Sequence, residues 1–157
     1  MVTQHKEPEA PSSRRNPPAY RRIALALVDD GSAELAIDAV GRLATRGVTR
    51  VRVLHLQERT AYPRLGGPVD IETDQQAVDF AQRAVAELRE RGINAEVAVG
   101  REVTGYEADQ IVESAEAFGA DLIVAGNRHK SRLMNLLQGN TTQALVRRSH
   151  TSLLLVG

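Results

Sequence analysis

Residues Asp121 to Thr142 read DLIVAGNRHKSRLMNLLQGNTT. An apolar run, Asp121-Leu-Ile-Val-Ala125, leads into Gly126, a basic loop follows, and Gly139 precedes a helix-like segment, Thr141 to Arg148. A strand that ends in glycine and a helix that begins beside one let backbone N–H groups come close to an anion. The helix N-terminus adds a positive partial charge. The stretch therefore has the form of a phosphate-binding loop between a strand and a helix.

The same alternation extends upstream and downstream. Ile23 to Val28 is a continuous apolar run, as expected of a strand covered on both faces. Ala36, Ala39, Val40 and Leu43 recur at helical spacing, and Gly47 follows as a helix-end signal. Val51 to Leu56 reads as a second strand interrupted by Arg52. Val78, Ala81, Val85 and Leu88 mark a second helix closed by Gly92, and Ala95 to Val99 a short third strand. Ile111, Ala115 and Phe118 mark a third helix, closed by Gly119 before the strand Leu122 to Ala125. The last helix spans Thr141 to Arg148, and Leu153 to Val156 is the fifth strand.

Five strands alternating with four helices predict an α/β fold: a single Rossmann-like domain with a five-stranded parallel sheet flanked by helices on both faces. Each crossover is expected to be right-handed. Ligands of such sheets sit at the carboxyl ends of the strands, where the strand order reverses. That rule points to Asp29 and Asp30, Gln57, Gly100 and Gly126, although acidic residues and glycine also favour turns on their own account.

Two segments stand apart. Residues 1–19 are rich in proline and charge, which predicts a disordered tail and leaves 20–157 as the domain. Gln57 to Gln76 contains Pro63, Gly66, Gly67 and Pro68 and is longer than a usual βα connection. It reads as a lid, a partner surface or a disordered loop.

Composition narrows the function. The chain has 157 residues, with 20 basic residues balancing 20 acidic ones, so net charge gives no reason to expect nucleic acid or an anionic membrane as partner. Cysteine is absent, which removes disulfides and thiolate metal sites. No window has the apolar length of a membrane span, and the N-terminus lacks the apolar core of a signal peptide; a soluble cytoplasmic protein is expected. The four histidines show no metal-ligand spacing. His55 lies inside the second strand as a packed or hydrogen-bonded core residue with no Ser or Cys nearby to activate, and His150 is expected at the surface. GNRHKS lacks the glycine that a Walker A sequence has directly before its lysine, and Gly100 to Gly105 fails the dinucleotide spacing.

Gly126, two residues, His129, nine residues, Gly139 and Asn140 together resemble the signature of the universal stress protein family. That family has Gly where His129 stands and Ser or Thr where Asn140 stands. Val53-Leu-His-Leu56 resembles its second-strand motif, Gly119-Ala-Asp-Leu-Ile-Val-Ala-Gly126 its approach to the fourth strand, and Val28-Asp-Asp-Gly-Ser32 its first βα turn. The resemblance runs from Arg21 to Val156. It implies strand order 3-2-1-4-5, a homodimer, a role in stress adaptation, and binding of ATP or a related adenine nucleotide as a regulatory ligand. By position it implies Asp29, or Asp30, at the ribose and Leu56 lining the adenine pocket. Gly126, His129, Gly139 and Asn140 fall at the phosphate loop, with Thr141 next along the same helix start.

The residues themselves support this in part. Arg128, His129, Lys130 and Arg132 form a cationic loop suited to phosphate, or else a solvated basic loop. A Cβ at position 129 costs about 1 kcal/mol if the backbone there has the positive φ that a glycine allows, and the ring can occupy a phosphate position. Asn140 is a competent N-cap, with Gln143 completing a capping-box-like pair; its amide can also donate to phosphate. A bound nucleotide brings Mg²⁺ held mainly by its phosphates. Leu153 to Val156, as an uncovered apolar edge in the family's strand order, predicts the homodimer contact.

Two alternatives follow. His129 favours a nucleotide-free dimeric stress adaptor. Val28-Asp-Asp30 also resembles the acidic pair of response-regulator receiver domains, but Val99 runs into Gly100-Arg-Glu where a phosphoacceptor Asp belongs, and only Gly157 follows Val156 where a Lys is needed. No general base is aimed at the phosphate loop, so no catalytic residue is assigned, and any ATP hydrolysis is expected to be slow and incidental.

Overall fold

The computed structural model describes residues 19–29, 31–57, 59–62, 67–70, 72–101, 106–126, 145–147 and 149–157. Along them run β1 (Arg22–Leu27), α1 (Ala33–Leu43), β2 (Arg50–Gln57), β3 (Arg59–Tyr62), β4 (Gly67–Asp70), α2 (Asp74–Glu90), β5 (Asn94–Arg101), α3 (Glu107–Phe118), β6 (Leu122–Gly126) and β7 (Ser152–Val156). Residues 145–147 are helical, within the predicted last helix. The rest of that helix and, of the predicted tail over 1–19, residues 1–18 lie outside the described residues.

β5, β2, β1, β6 and β7 form one sheet in that order, every pair parallel. Counted along the chain, these five strands have the order 3-2-1-4-5. β1 is central, and its residues alternate between two cores. Ile23, Leu25 and Leu27 join Val51 and Val53 of β2 beneath α1 and α2, where Ile37, Val40, Phe80, Val85 and Leu88 are buried. Ala24 and Ala26 face the other way, with Leu54, Ile123 and Ala125, against Ile111, Val112 and Ala115 of α3. Alternate side chains of a strand point to opposite faces, so a run apolar at every position is what a sheet covered twice requires.

Both ends of α2 are fixed by local chemistry. Thr73 accepts from the Gln76 N–H while the Gln76 side chain accepts from the Thr73 N–H, a complete capping box. At the other end Gly92 takes φ +78°, the Ile93 N–H reaches the Leu88 carbonyl at 3.0 Å and the Gly92 N–H reaches Arg89 at 2.9 Å. Buried Ile93 and Leu88 complete this Schellman arrangement. α3 ends in the same way at Gly119, with Ala120 bonded to Ala115 and Gly119 to Glu116. Gly47 differs from expectation: α1 ends at Ala44 in extended backbone, and Gly47 belongs to the turn that follows.

Arg91, just beyond α2, bridges to Asp38 of α1 and Glu87 of its own helix. The hydrogen bond to Asp38 raises the Arg91 pKa above its ordinary value, desolvation opposes it, and Glu87 raises it further. Asp121 pins the start of β1: its carboxylate accepts from the Arg21 N–H at 2.7 Å and the Arg22 N–H at 3.1 Å, and its own N–H reaches the Arg22 carbonyl at 2.9 Å.

The segment Gln57 to Gln76 departs most from its prediction. It holds an antiparallel hairpin, β3 paired with β4, and α2 already begins at Asp74. The hairpin is a separate two-stranded sheet inserted between β2 and α2.

Candidate functional site

β1 is bonded to β2 on one side and β6 on the other, with Leu27 beside His55 and Ala26 beside Ala125. The strand order reverses between β1 and β6, so the crevice at their carboxyl ends is the switch point of the sheet. Val28 and Asp29 follow β1 there; Asp29 is exposed. Gly31 takes φ +79° and leads to Ser32, the buried N-cap residue of α1.

Gly126 is the last residue of β6, not the first residue of a loop. Its φ is not positive, so its need for glycine lies in packing. An added Cβ would lie 2.8 Å from the Cβ of Ser32 and closer still to the Ser32 hydroxyl oxygen. The start of α1 thus fits against the end of β6 because residue 126 has no side chain.

Leu56 lies at the carboxyl end of β2 but serves the opposite face. It packs on the α3-side core, and its Cδ2 lies 3.0 Å from where a Cβ on Gly100 would stand. Gln57 and Gly100, expected just after their strands, are instead the last residue of β2 and a paired residue within β5. Arg101 next to Gly100 binds Asp74 at the start of α2 and receives at its carbonyl a hydrogen bond of 2.7 Å from Gln110 of α3.

Among the proposed site residues the structure therefore brings Asp29 and Gly126 to one crevice and sets Leu56 on the α3 side of the neighbouring strand. Asp30, Arg128, His129, Lys130, Gly139, Asn140 and Thr141 lie outside the described residues. Sequence reasoning missed Ser32 as the partner of Gly126; its motif Val28-Asp-Asp-Gly-Ser32 contained the residue, but nothing local announces a contact so distant in the chain. His55 is fully buried and engaged by Leu27 and Glu72, and His150 is exposed.

The described rim is acidic at its helix starts, with Glu34 in the first turn of α1, Asp74 in that of α2, and Glu107 and Asp109 in that of α3. Carboxylates favour helix N-termini. Such carboxylates can accept hydrogen bonds from sugar hydroxyls and repel phosphate. Among the described residues no cluster of three His, Cys, Asp or Glu is placed to hold a metal ion, and no helix is long and apolar enough to cross a membrane.

The universal stress protein family model matches residues 19–157. Among solved structures, the chain is similar to a universal stress protein family member from Burkholderia pseudomallei, with TM-score 0.63 and 20% identity over 87% of this chain and 96% of that one. A universal stress protein in complex with cAMP gives TM-score 0.62 and 21% identity over 87% and 96%. The universal stress protein from Archaeoglobus fulgidus in complex with dAMP gives TM-score 0.56 and 18% identity over 88% and 98%. None of the curated proteins matches the chain. The structural likenesses establish a shared fold, and the family match covers the whole described region: the chain belongs to the universal stress protein family.

Proposed function

We propose that this protein is a regulator of stress adaptation that binds ATP, or a related adenine nucleotide, at the carboxyl ends of β1 and β6. The observation that carries the reading is the switch point of the sheet, where exposed Asp29 follows β1 and Gly126 ends the neighbouring β6. Solved relatives hold dAMP and cAMP, which supports an adenine nucleotide as the ligand class.

The division of charge favours one orientation. Asp29 accepts hydrogen bonds from ribose hydroxyls, and the phosphates lie toward Arg128, His129 and Lys130, with Gly139, Asn140 and Thr141 at the helix start. Asp30 is the alternative ribose contact, and Leu56 the apolar neighbour of the base. Mg²⁺ accompanies the nucleotide on its phosphates. The ligand is read as a regulatory signal; His55, bonded on both nitrogens inside the core, is not placed to act as its general base.

The active form is a homodimer joined through β7, which among the described residues pairs only with β6 and carries half-buried Leu153, Leu154, Leu155 and Val156. A second reading rests on His129, which stands where the family has glycine: a dimeric adaptor that works without nucleotide. Calorimetric titration of the protein with ATP and Mg²⁺ separates the two. Saturable binding is expected, and absence of heat and of competition at millimolar nucleotide leaves the adaptor.

A further inference from the structure

β5 bounds the sheet at the end opposite β7 and, among the described residues, pairs only with β2. Backbone groups of alternate residues in a strand point to opposite edges, so half of the β5 residues bond β2 and the other half face outward. Two side chains identify the outward set. Arg89 of α2 donates from Nε and Nη2 to the Ala95 carbonyl at 3.0 and 2.7 Å, and Gln110 of α3 donates from Nε2 to the Arg101 carbonyl at 2.7 Å. A carbonyl turned toward β2 would be taken up by that strand. Ala95 and Arg101 therefore face out, and Val97 and Val99, in the same phase between them, face out as well.

The edge is thus closed at both ends and open in the middle. Among the described residues, no hydrogen bond from outside the sheet engages the backbone of Val97 or Val99. Their side chains are also exposed, by 37% and 38%. Folded sheets ordinarily guard an apolar edge with charge or with a covering group. Here the guards, Arg89 and Gln110, stop short of the two valines.

The open window reads the same in both directions, Val97-Ala98-Val99. Laid antiparallel against its own copy, with a two-fold axis at Ala98, each Val97 stands opposite Val99 of the other copy and exchanges both N–H···O bonds with it. Every open group of the window then has a partner. Valine meets valine on the α2 face, a favourable cross-strand pair, and Ala98 meets Ala98 on the α3 face. Glu96, held by Arg50 and Arg52, comes opposite Gly100, which has no side chain to oppose it. At the next pair, Ala95 opposite Arg101, both carbonyls are already occupied, so the pairing ends there.

We propose that two copies of this chain associate edge to edge through β5, antiparallel and two-fold symmetric about Ala98. The window is short and buries far less than the roughly 1,200 Å² of a stable complex, so the contact is reversible and fills at high protein concentration. It needs neither nucleotide nor β7. With a β7 dimer it gives each protomer two different self-complementary contacts, which build assemblies larger than a dimer.

The chain has no cysteine, so a single introduced thiol reports the pairing without interference. Residues facing each other at a non-hydrogen-bonded position have Cα atoms about 4.5 Å apart, within the range a disulfide spans. Full-length Ala98→Cys is oxidised at high concentration, and the dimer formed is measured by non-reducing electrophoresis. Val48→Cys, in an exposed turn away from this edge, measures random collision. Each rate is divided by the reactivity of the same thiol toward a small disulfide, and circular dichroism and urea midpoints establish that each variant is folded. Ala98→Cys is expected to cross-link about tenfold faster than Val48→Cys. Adding Val97→Lys to Ala98→Cys is expected to remove that advantage, because a lysine on an open edge opposes strand pairing, and Val99→Lys is expected to act alike. Equal rates in Ala98→Cys and Val48→Cys overturn the proposal. So does a fast rate in Ala98→Cys that neither lysine substitution lowers.

Discussion

Ser32 occupies the space that a side chain on Gly126 would need, with its Cβ 2.8 Å from the position of the missing carbon. The first βα turn and the end of β6 are therefore built for each other. Gly126→Ala is expected to lower stability by about 1–3 kcal/mol through overpacking. Ser32→Gly in the same chain should recover part of that loss, and a double-mutant cycle from urea denaturation measures the coupling. Independent, additive effects would show that the two residues do not share this space.

Gly119 closes α3 at φ +68°, with the Arg22 guanidinium 2.8 Å from where a Cβ would stand. Gly119→Ala is expected to cost about 1 kcal/mol in left-handed strain, or about 2–4 °C in Tm for a chain of this size. Thermal unfolding followed by circular dichroism reads this directly.

Asp29 is exposed and lies at the switch point, so its removal should affect ligand more than fold. Asp29→Asn is expected to weaken ATP about tenfold, the size of one lost charge-assisted hydrogen bond, with an unchanged Tm. A fall in Tm with unchanged affinity would assign Asp29 to the turn and not to the ribose.

At position 129 the family has glycine. His129→Gly is expected to tighten ATP binding about fivefold, the equivalent of the about 1 kcal/mol that a Cβ costs if nucleotide binding requires positive φ at this position. Weaker binding would make the imidazole a ligand.

β7 is the edge on which the dimer is proposed. Leu154→Asp is expected to give a monomer in sedimentation velocity, because a carboxylate in a half-buried apolar strand opposes strand pairing. A dimer unchanged by this substitution would move the interface elsewhere.

Much of the fold was legible because a doubly covered parallel sheet imposes an unbroken apolar run on each inner strand, and Ile23 to Leu27 and Leu122 to Ala125 are such runs. Their ends were less so. Glycine punctuates a strand end and a loop start alike, so Gly126 was read as the residue after β6, while the packing of Ser32 keeps it inside. The hairpin was hidden for a related reason: Pro63, Gly66, Gly67 and Pro68 signal a loop, and the paired segments are only four residues each. His55 could be recognised as a core residue from its apolar neighbours. Its partner Glu72 could not, since it becomes a neighbour only through the path the hairpin takes. For Asp29 and Leu56 the structure supplies position and facing, whereas Arg128 to Lys130 and Gly139 to Thr141 rest on charge, spacing and family resemblance.

The clasp of Asp121 on Arg21 spans 100 residues. During synthesis the ribosome therefore delivers β1, β2 and β5 well before the strand that lies on the other flank of β1. Until β6 emerges, the central strand of the sheet has one satisfied edge and one row of open backbone groups. The nascent protein thus carries at its centre the exposure that the finished sheet carries at its rims, and a chaperone that binds extended segments would find β1 open until Leu122 to Gly126 have left the exit tunnel.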